Sequence, residues 1–158
     1  MIVSSCGNLL EADAEALVNA VNTVGVMGKG LALAFRQAHP RNYAAYRAAC
    51  AAGDVRLGKV FVYDSGRPGR HRYVINFPTK GHWRSPSRLT HVETGLCDLA
   101  LSIRDHGIGS VAVPALGCGE GGLDWSDVRP LIETTFADLP DVHVLLYPPA
   151  AHTGSADR

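Results

Sequence analysis

The chain has 158 residues, 46% of them hydrophobic, enough for one domain with a proper core and too few for two comfortable ones. Lysine plus arginine and aspartate plus glutamate each number 15, so overall charge argues neither for a nucleic-acid coat nor for a membrane surface. No run approaches the roughly 18 apolar residues of a membrane span, and the first residues lack the basic flank and apolar stretch of a secretion signal, so a soluble, cytoplasmic protein is expected.

Strand-like apolar runs alternate with helical patterns, the mark of an α/β layered domain. Residues 1–5 read as a first strand and residues 16–20 as a second. Leu31, Ala34, Phe35 and Ala38 recur at helical spacing over residues 30–38, ended by Pro40. Residues 42–52 read as a short helix with Gly53 as its stop. Residues 59–63 and 73–77 read as paired strands across a Gly/Pro/Arg loop. The next helix takes Ser85 as N-cap and Pro86 at its first position. It presents Leu89, Val92, Leu96, Leu99 and Ile103 on one face and stops at Gly107. Residues 111–113 form a buried strand. Asp124 caps the following helix, with Asp127 in its first turn and Val128, Leu131, Ile132, Thr135 and Phe136 as its buried stripe. Residues 143–147 supply a last strand. One domain over residues 1–148 is expected, with a loose tail at 149–158.

Cys6, Cys50, Cys97 and Cys118 make no C-x-x-C pair, and two of them fall in expected helices, so buried reduced thiols are expected rather than disulfides or a zinc site. The histidines lack the i, i+4 spacing of a helical metal site, and no metal is expected.

Two glycine-rich loops, about ninety residues apart, each follow an apolar strand and lead into a helix; glycine lets backbone N–H groups approach an anion, and the helix adds its positive end. The first runs through Gly25, Gly28 and Gly30, the second through Gly117, Gly119, Gly121 and Gly122. The second fits G-x-G-x-x-G literally, yet only about 36 residues follow it, whereas a dinucleotide fingerprint opens its domain. The first is too short for a P-loop, and Gly30 stands where Ser or Thr must hold magnesium. Placed at strand ends of one α/β domain, the two loops point to one crevice for a diphosphate. Between them, residues 65–92 carry Arg67, Arg70, Arg72, Lys80, Arg84 and Arg88, with His71, His82 and His91 and no acid. Such a run is ordinarily a solvated face, and its position around Lys80 shifts the reading toward an anionic ligand.

Gly7-Asn8-Leu9-Leu10, Val18-Asn19-Ala20-Val21-Asn22, the 25–30 loop and residues 117–122 together resemble the macrodomain, an ADP-ribose-binding module. Residues 22–30, Asn76-Phe77-Pro78-Thr79-Lys80 with His82-Trp83-Arg84, and Gly121-Gly122-Leu123-Asp124-Trp125 resemble its DNA ADP-ribosyl glycohydrolase antitoxin branch. The resemblance implies a three-layer α/β/α sandwich around a mixed sheet, with ADP-ribose across the strand ends and no cofactor. It puts Asn8, followed by Leu9, where many macrodomains use an aspartate to accept from the adenine amino group. Asn22 would bind the distal ribose. Gly25, Val26, Met27, Gly28, Gly30 and Leu31 would wrap that ribose and the diphosphate. Gly117, Cys118, Gly119, Glu120, Gly121 and Gly122 would cradle the phosphates, and His82, Trp83 and Arg84 would meet the substrate or its DNA.

In this branch the residue matching Lys80 is the catalytic amine. Here it follows a strand and a Pro78-Thr79 turn expected to aim it. An ordinary lysine, with a pKa near 10.4, is neutral to only about one part in a few thousand at pH 7, so a nucleophilic role needs desolvation or cationic neighbours. Arg72, His82 and Arg84 are the candidates. Lys80 is then either the amine of a Schiff base with the ring-opened ribose, or an ammonium that stabilises the departing base. A lysine-dependent relative that releases ADP-ribose from glutamate has an aspartate at the position of Gly121, and its absence favours DNA. The leading expectation is a glycohydrolase removing ADP-ribose from thymidine in DNA. The alternatives are a hydrolase of ADP-ribosylated acidic side chains on proteins and a non-catalytic ADP-ribose reader. The antitoxin branch implies a toxin as partner, which nothing in the sequence identifies.

Overall fold

The segment Ala16-Leu17-Val18-Asn19-Ala20-Val21-Asn22 has almost no polar alternation, and such a strand is stable only when both of its faces are covered. In the computed structural model, which describes residues 1–150, it forms β2 (Ala16–Asn22), with every residue but Ala20 buried. The other strands are β1 (Ile2–Ser4), β3 (Phe61–Asp64), β4 (Tyr73–Lys80), β5 (Ser110–Pro114) and β6 (His143–Tyr147). They make one sheet in the order β1-β6-β5-β2-β4-β3, parallel throughout except for the antiparallel edge strand β3.

The helices are α1 (Gly30–Ala38), α2 (Pro40–Ala51), α3 (Leu89–His106) and α4 (Trp125–Ala137), with a 3-10 turn at Leu9–Glu11. One face of the sheet is covered by α1, α2 and that turn through Phe35, Tyr46 and Leu9. The other is covered by α3 and α4 through Val92, Leu96, Leu99, Val128 and Ile132. This is the expected three-layer α/β/α sandwich around a mixed sheet. β2 and β5 are neighbours, yet β2 leads to α1 on one face and β5 to α4 on the other. Connections that part in this way leave a crevice at the carboxyl ends of the two strands.

Two contacts fix the layers. The carboxamides of Asn42 on α2 and Asn76 on β4 exchange hydrogen bonds of 3.1 and 2.8 Å, and Asn76 Nδ2 also reaches the Phe61 carbonyl at 3.1 Å. Both residues are buried, and each finds in the other the partner that burial demands. On the opposite face α3 lies so close to the sheet that a Cβ on Gly95 would come within 2.5 Å of Phe77 Cζ.

Several boundaries differ from the sequence reading. β2 and β4 run on to Asn22 and Lys80, so Pro78 and Thr79 belong to a strand and make no turn. α2 begins at Pro40, a residue suited to a first helical position. α3 begins at Leu89 with Arg88 as N-cap, not after Ser85. The 85–88 segment is a strap instead: Ser85 N–H bonds the His82 carbonyl and Ser87 N–H the Gly121 carbonyl, both at 3.0 Å. The thiols are only partly sheltered, with Cys6 and Cys97 exposed and Cys50 and Cys118 half-buried. Among the described residues no helix is long and apolar enough to cross a membrane. Residues 151–158 of the expected tail lie outside the described residues.

Gly95→Ala sets a gain of roughly 1 kcal/mol in helix propensity against overpacking of about 1–3 kcal/mol on a buried ring. Because Phe77 is fully buried, a net loss of about 1 kcal/mol or more is expected, read as a lower urea midpoint at unchanged slope.

Candidate functional site

Because β2, β4, β5 and β6 are parallel, their carboxyl ends at Asn22, Lys80, Pro114 and Tyr147 share one edge of the sheet. A cleft of about 1120 Å³ opens there. Asn22, Val26, Gly28, Gly30 and Leu31 line it from the first loop, and Gly117, Cys118, Gly119, Glu120 and Gly121 from the second. Lys80, Trp83 and Arg84 close a third side. The structure thus brings together most of the residues singled out from the sequence.

The first loop is organised by one side chain. Asn22 Oδ1 accepts from the N–H groups of Val24, Gly25 and Val26 at 3.1, 3.1 and 3.3 Å, while Nδ2 donates to the Val26 carbonyl at 2.8 Å. Gly25 has φ +94°, which a residue with a Cβ adopts only at a cost. Behind Asn22 the fully buried Tyr46 hydroxyl stands 2.7 Å from the Asn22 carbonyl and 3.0 Å from Oδ1. Burial, with Cys50 beside it, pushes the Tyr46 hydroxyl well above its ordinary range, so it is a permanent donor. This leaves one Nδ2 hydrogen of Asn22 uncommitted within the protein.

Lys80 is aimed by a register shift. Val21 pairs with Pro78, but Asn22 pairs with Lys80, so Thr79 is the extra residue of a bulge. A bulge turns the side chains that follow it, and the result sets half-buried Lys80 opposite Asn22 on the cleft wall. The charged lining residues are Lys29, Lys80 and Arg84 against Glu120 alone, a surplus of cations suited to a diphosphate.

The cationic run of the sequence is not one patch. β4 carries the chain about 23 Å at the usual strand rise, leaving Arg67, Arg70, His71 and Arg72 at its amino end and Lys80 at the other. Arg72 is paired there with Asp64 at 2.9 Å. It is therefore no neighbour of Lys80, contrary to the sequence reading. Lys29 and Arg84 are the cations that share the cleft with it.

The second loop is held by the strap before α3. Ser87 is buried, its Oγ has no partner, and it packs where a Cβ on Gly121 would stand; that Cβ would also lie 2.6 Å from the Gly117 carbonyl oxygen. No side chain fits at position 121, which explains in steric terms why this chain has no acid there. Burial, and then the Asp124 carboxylate, push the Cys118 thiol to about 11.

Other expected residues lie outside the lining. The Asn8 carboxamide accepts from Leu10 N–H at 3.0 Å as cap of the 3-10 turn. Leu9 is in the core, Met27 is sealed against Asn19 at 3.7 Å, and a Cβ on Gly25 would meet Cys50 and Arg47 rather than the cleft. Gly122 is set back from the cleft, and His82 reaches it only through Trp83, on which it stacks. The glycines of the first loop mark the cleft in the sequence, whereas nothing in the sequence marks Lys29 as a lining residue. Nor does anything there mark Tyr46 or Ser87, which act from other elements. Pro148, at the end of the expected domain, also lines the cleft, as do Pro149 and Ala150, which fall in the expected tail.

The family model described as Macro domain matches residues 18–132. A curated relative from Mycobacterium tuberculosis, named DNA ADP-ribosyl glycohydrolase, is 53% identical over 150 residues, covering 95% of this chain and 43% of its own. The chain therefore spans about two-fifths of the length of the curated relatives it matches. The solved macrodomain of Mycobacterium tuberculosis DarG superposes with a TM-score of 0.93 at 53% identity, covering 95% of this chain and 99% of the other. Thermosipho africanus DarTG, solved with ADP-ribose, gives 0.86 at 33% identity over 98% of this chain and 44% of its own.

Tyr46→Phe removes the hydroxyl and leaves its volume. Stability is expected to fall by about 1 kcal/mol, with faster hydrogen exchange at the Val24, Gly25 and Val26 amides as the measurement that localises the effect. A thiol held near 11 reacts slowly, so iodoacetamide at about pH 8 should label exposed Cys6 and Cys97 well before Cys118, as read by peptide mass mapping.

Proposed function

The chain belongs to the Macro domain family, and on that premise we propose that it is an ADP-ribosyl glycohydrolase that removes ADP-ribose from thymidine in DNA, with Lys80 as its catalytic amine. The observation that carries the reading is the bulge at Thr79, which turns Lys80 into the cleft that both glycine loops line. In this reading the diphosphate lies between the N–H groups at the start of α1 and those of the second loop. Lys29 supplies countercharge, and the distal ribose comes to rest between Asn22 and Lys80. The names of the relatives support DNA as the carrier of the modification. The steric closure of position 121 supports it over an acid-assisted attack on protein esters.

Hydrolysis breaks the bond between ribose C1″ and the base, and adds water across it. Lys80 serves in one of two ways. As a neutral amine it adds to C1″ of the ring-opened ribose and expels the base, which takes up the proton the amine gives up, and water then hydrolyses the Schiff base to free ADP-ribose and the amine. As an ammonium it steadies the charge on the departing base while water attacks C1″. The Thermosipho africanus relative is named a DNA ADP-ribosyl transferase–glycohydrolase fusion, which supports a place opposite a DNA ADP-ribosyl transferase; the role proposed for this chain is that of an antitoxin acting in the cytoplasm.

Lys80→Ala should bind ADP-ribose with little change by calorimetry while release from a modified thymidine oligonucleotide falls about 10²–10⁴-fold. Borohydride should trap an adduct on wild type and not on the variant if the Schiff base forms; absence of an adduct assigns the ammonium role. Wild type that binds ADP-ribose but releases it from neither modified DNA nor modified protein would make the chain a reader.

A further inference from the structure

Trp83 stands at the mouth of the cleft, 45% exposed, an expensive place for an indole unless something covers it. It is also held in place. One face stacks on the His82 ring, with centroids 3.7 Å apart and planes at 27°. The His82 ring is fixed in turn, because its Nδ1 accepts from Arg84 N–H at 3.1 Å. The segment is tied to the first glycine loop, since Thr23 Oγ1 donates to the Gly81 carbonyl at 2.9 Å. That tie brings Val24 and Val26, 47% and 37% exposed, to the adjoining rim. Three of the six exposed large hydrophobic side chains among the described residues therefore belong to these two joined segments.

A flat, pre-oriented aromatic that is 45% exposed and shares the cleft lining with Arg84 and Lys80 matches a nucleobase followed by its phosphodiester. A peptide offers no regular charge to those cations. We propose that the Trp83–His82 stack is a platform for a base flanking the modified nucleotide, with Arg84 on the adjoining phosphate, so that Trp83 selects polynucleotide over mononucleoside substrates. The proposal rests on the DNA reading above and adds to it a subsite at the rim of the same cleft, beyond the sugar and diphosphate. Stacking of one base on an aromatic side chain corresponds to a loss of about tenfold to a hundredfold on removal to alanine.

The test has a binding arm and a kinetic arm. A short unmodified oligodeoxynucleotide should quench indole fluorescence in wild type and in Trp125→Phe, where Trp83 is the remaining indole, and leave Trp83→Ala unquenched. In the kinetic arm, Trp83→Ala should lose about tenfold or more in kcat/KM on a modified oligonucleotide, and far less on ADP-ribosylated thymidine without neighbours. Trp83→Phe should recover most of the loss. Equal losses on both substrates, or a matching rise in the Kd for ADP-ribose, would place Trp83 in the ADP-ribose pocket and overturn the platform, as would absence of quenching in wild type. Quenching by DNA in a wild type that releases no ADP-ribose would keep the platform and sink the proposed activity.

Discussion

The carboxamide of Asn22 is the interaction on which the site depends. A loop of glycines at the mouth of a sheet has backbone donors that cannot all go unpaired, yet some must face a ligand. One side chain at the end of β2 resolves the conflict by gathering three consecutive N–H groups and one carbonyl to itself. The residues beyond, from Gly28 into the first turn of α1, are left to line the cleft. Asn22 can do this because Tyr46 reaches across from α2 and fixes its backbone and side-chain oxygens together. A carboxylate would accept the same three donors but could not donate to Val26, and burial would oppose its charge.

Topology gives this local solution its reach. Five parallel strands end at one edge, and the connections after β2 and β5 leave on opposite faces, so loops from both halves of the chain meet without either crossing the other. The single register shift between Val21 and Asn22 then places a lysine where an unbroken ladder would have left Thr79. Strand length has the opposite effect on the arginines before β4, which the same eight residues carry to the far end of the sheet.

Much of this was legible in the sequence. The period-3.6 and apolar runs located α1 and β6 to the residue, and the glycine loops located the cleft. What was hidden has a physical cause in each instance. Ser85-Pro86 is a sound helix start by local preference, but the tertiary bond from Ser87 to Gly121 claims the backbone first. The acid-free run from 65 to 92 looked continuous because sequence distance ignores the folding of β3 against β4. The bulge is a property of two strands in register, and neither strand alone announces it. The lining by residues 148–150 depends on the pairing of β6 with β5, which is equally long-range.

The interlock of Ser87 with Gly121 bears on how such a pocket changes over generations. Any codon change that puts a side chain at 121 meets the hydroxymethyl group already seated there, so it arrives as a folding defect before it can arrive as new chemistry. A route toward a carboxylate at that spot must therefore vacate position 87 and also move the Gly117 carbonyl oxygen, 2.6 Å from where the new Cβ would stand, before that side chain can be seated. Lineages on either side of those changes would drift apart in specificity while keeping the same sheet, the same lysine and the same glycines.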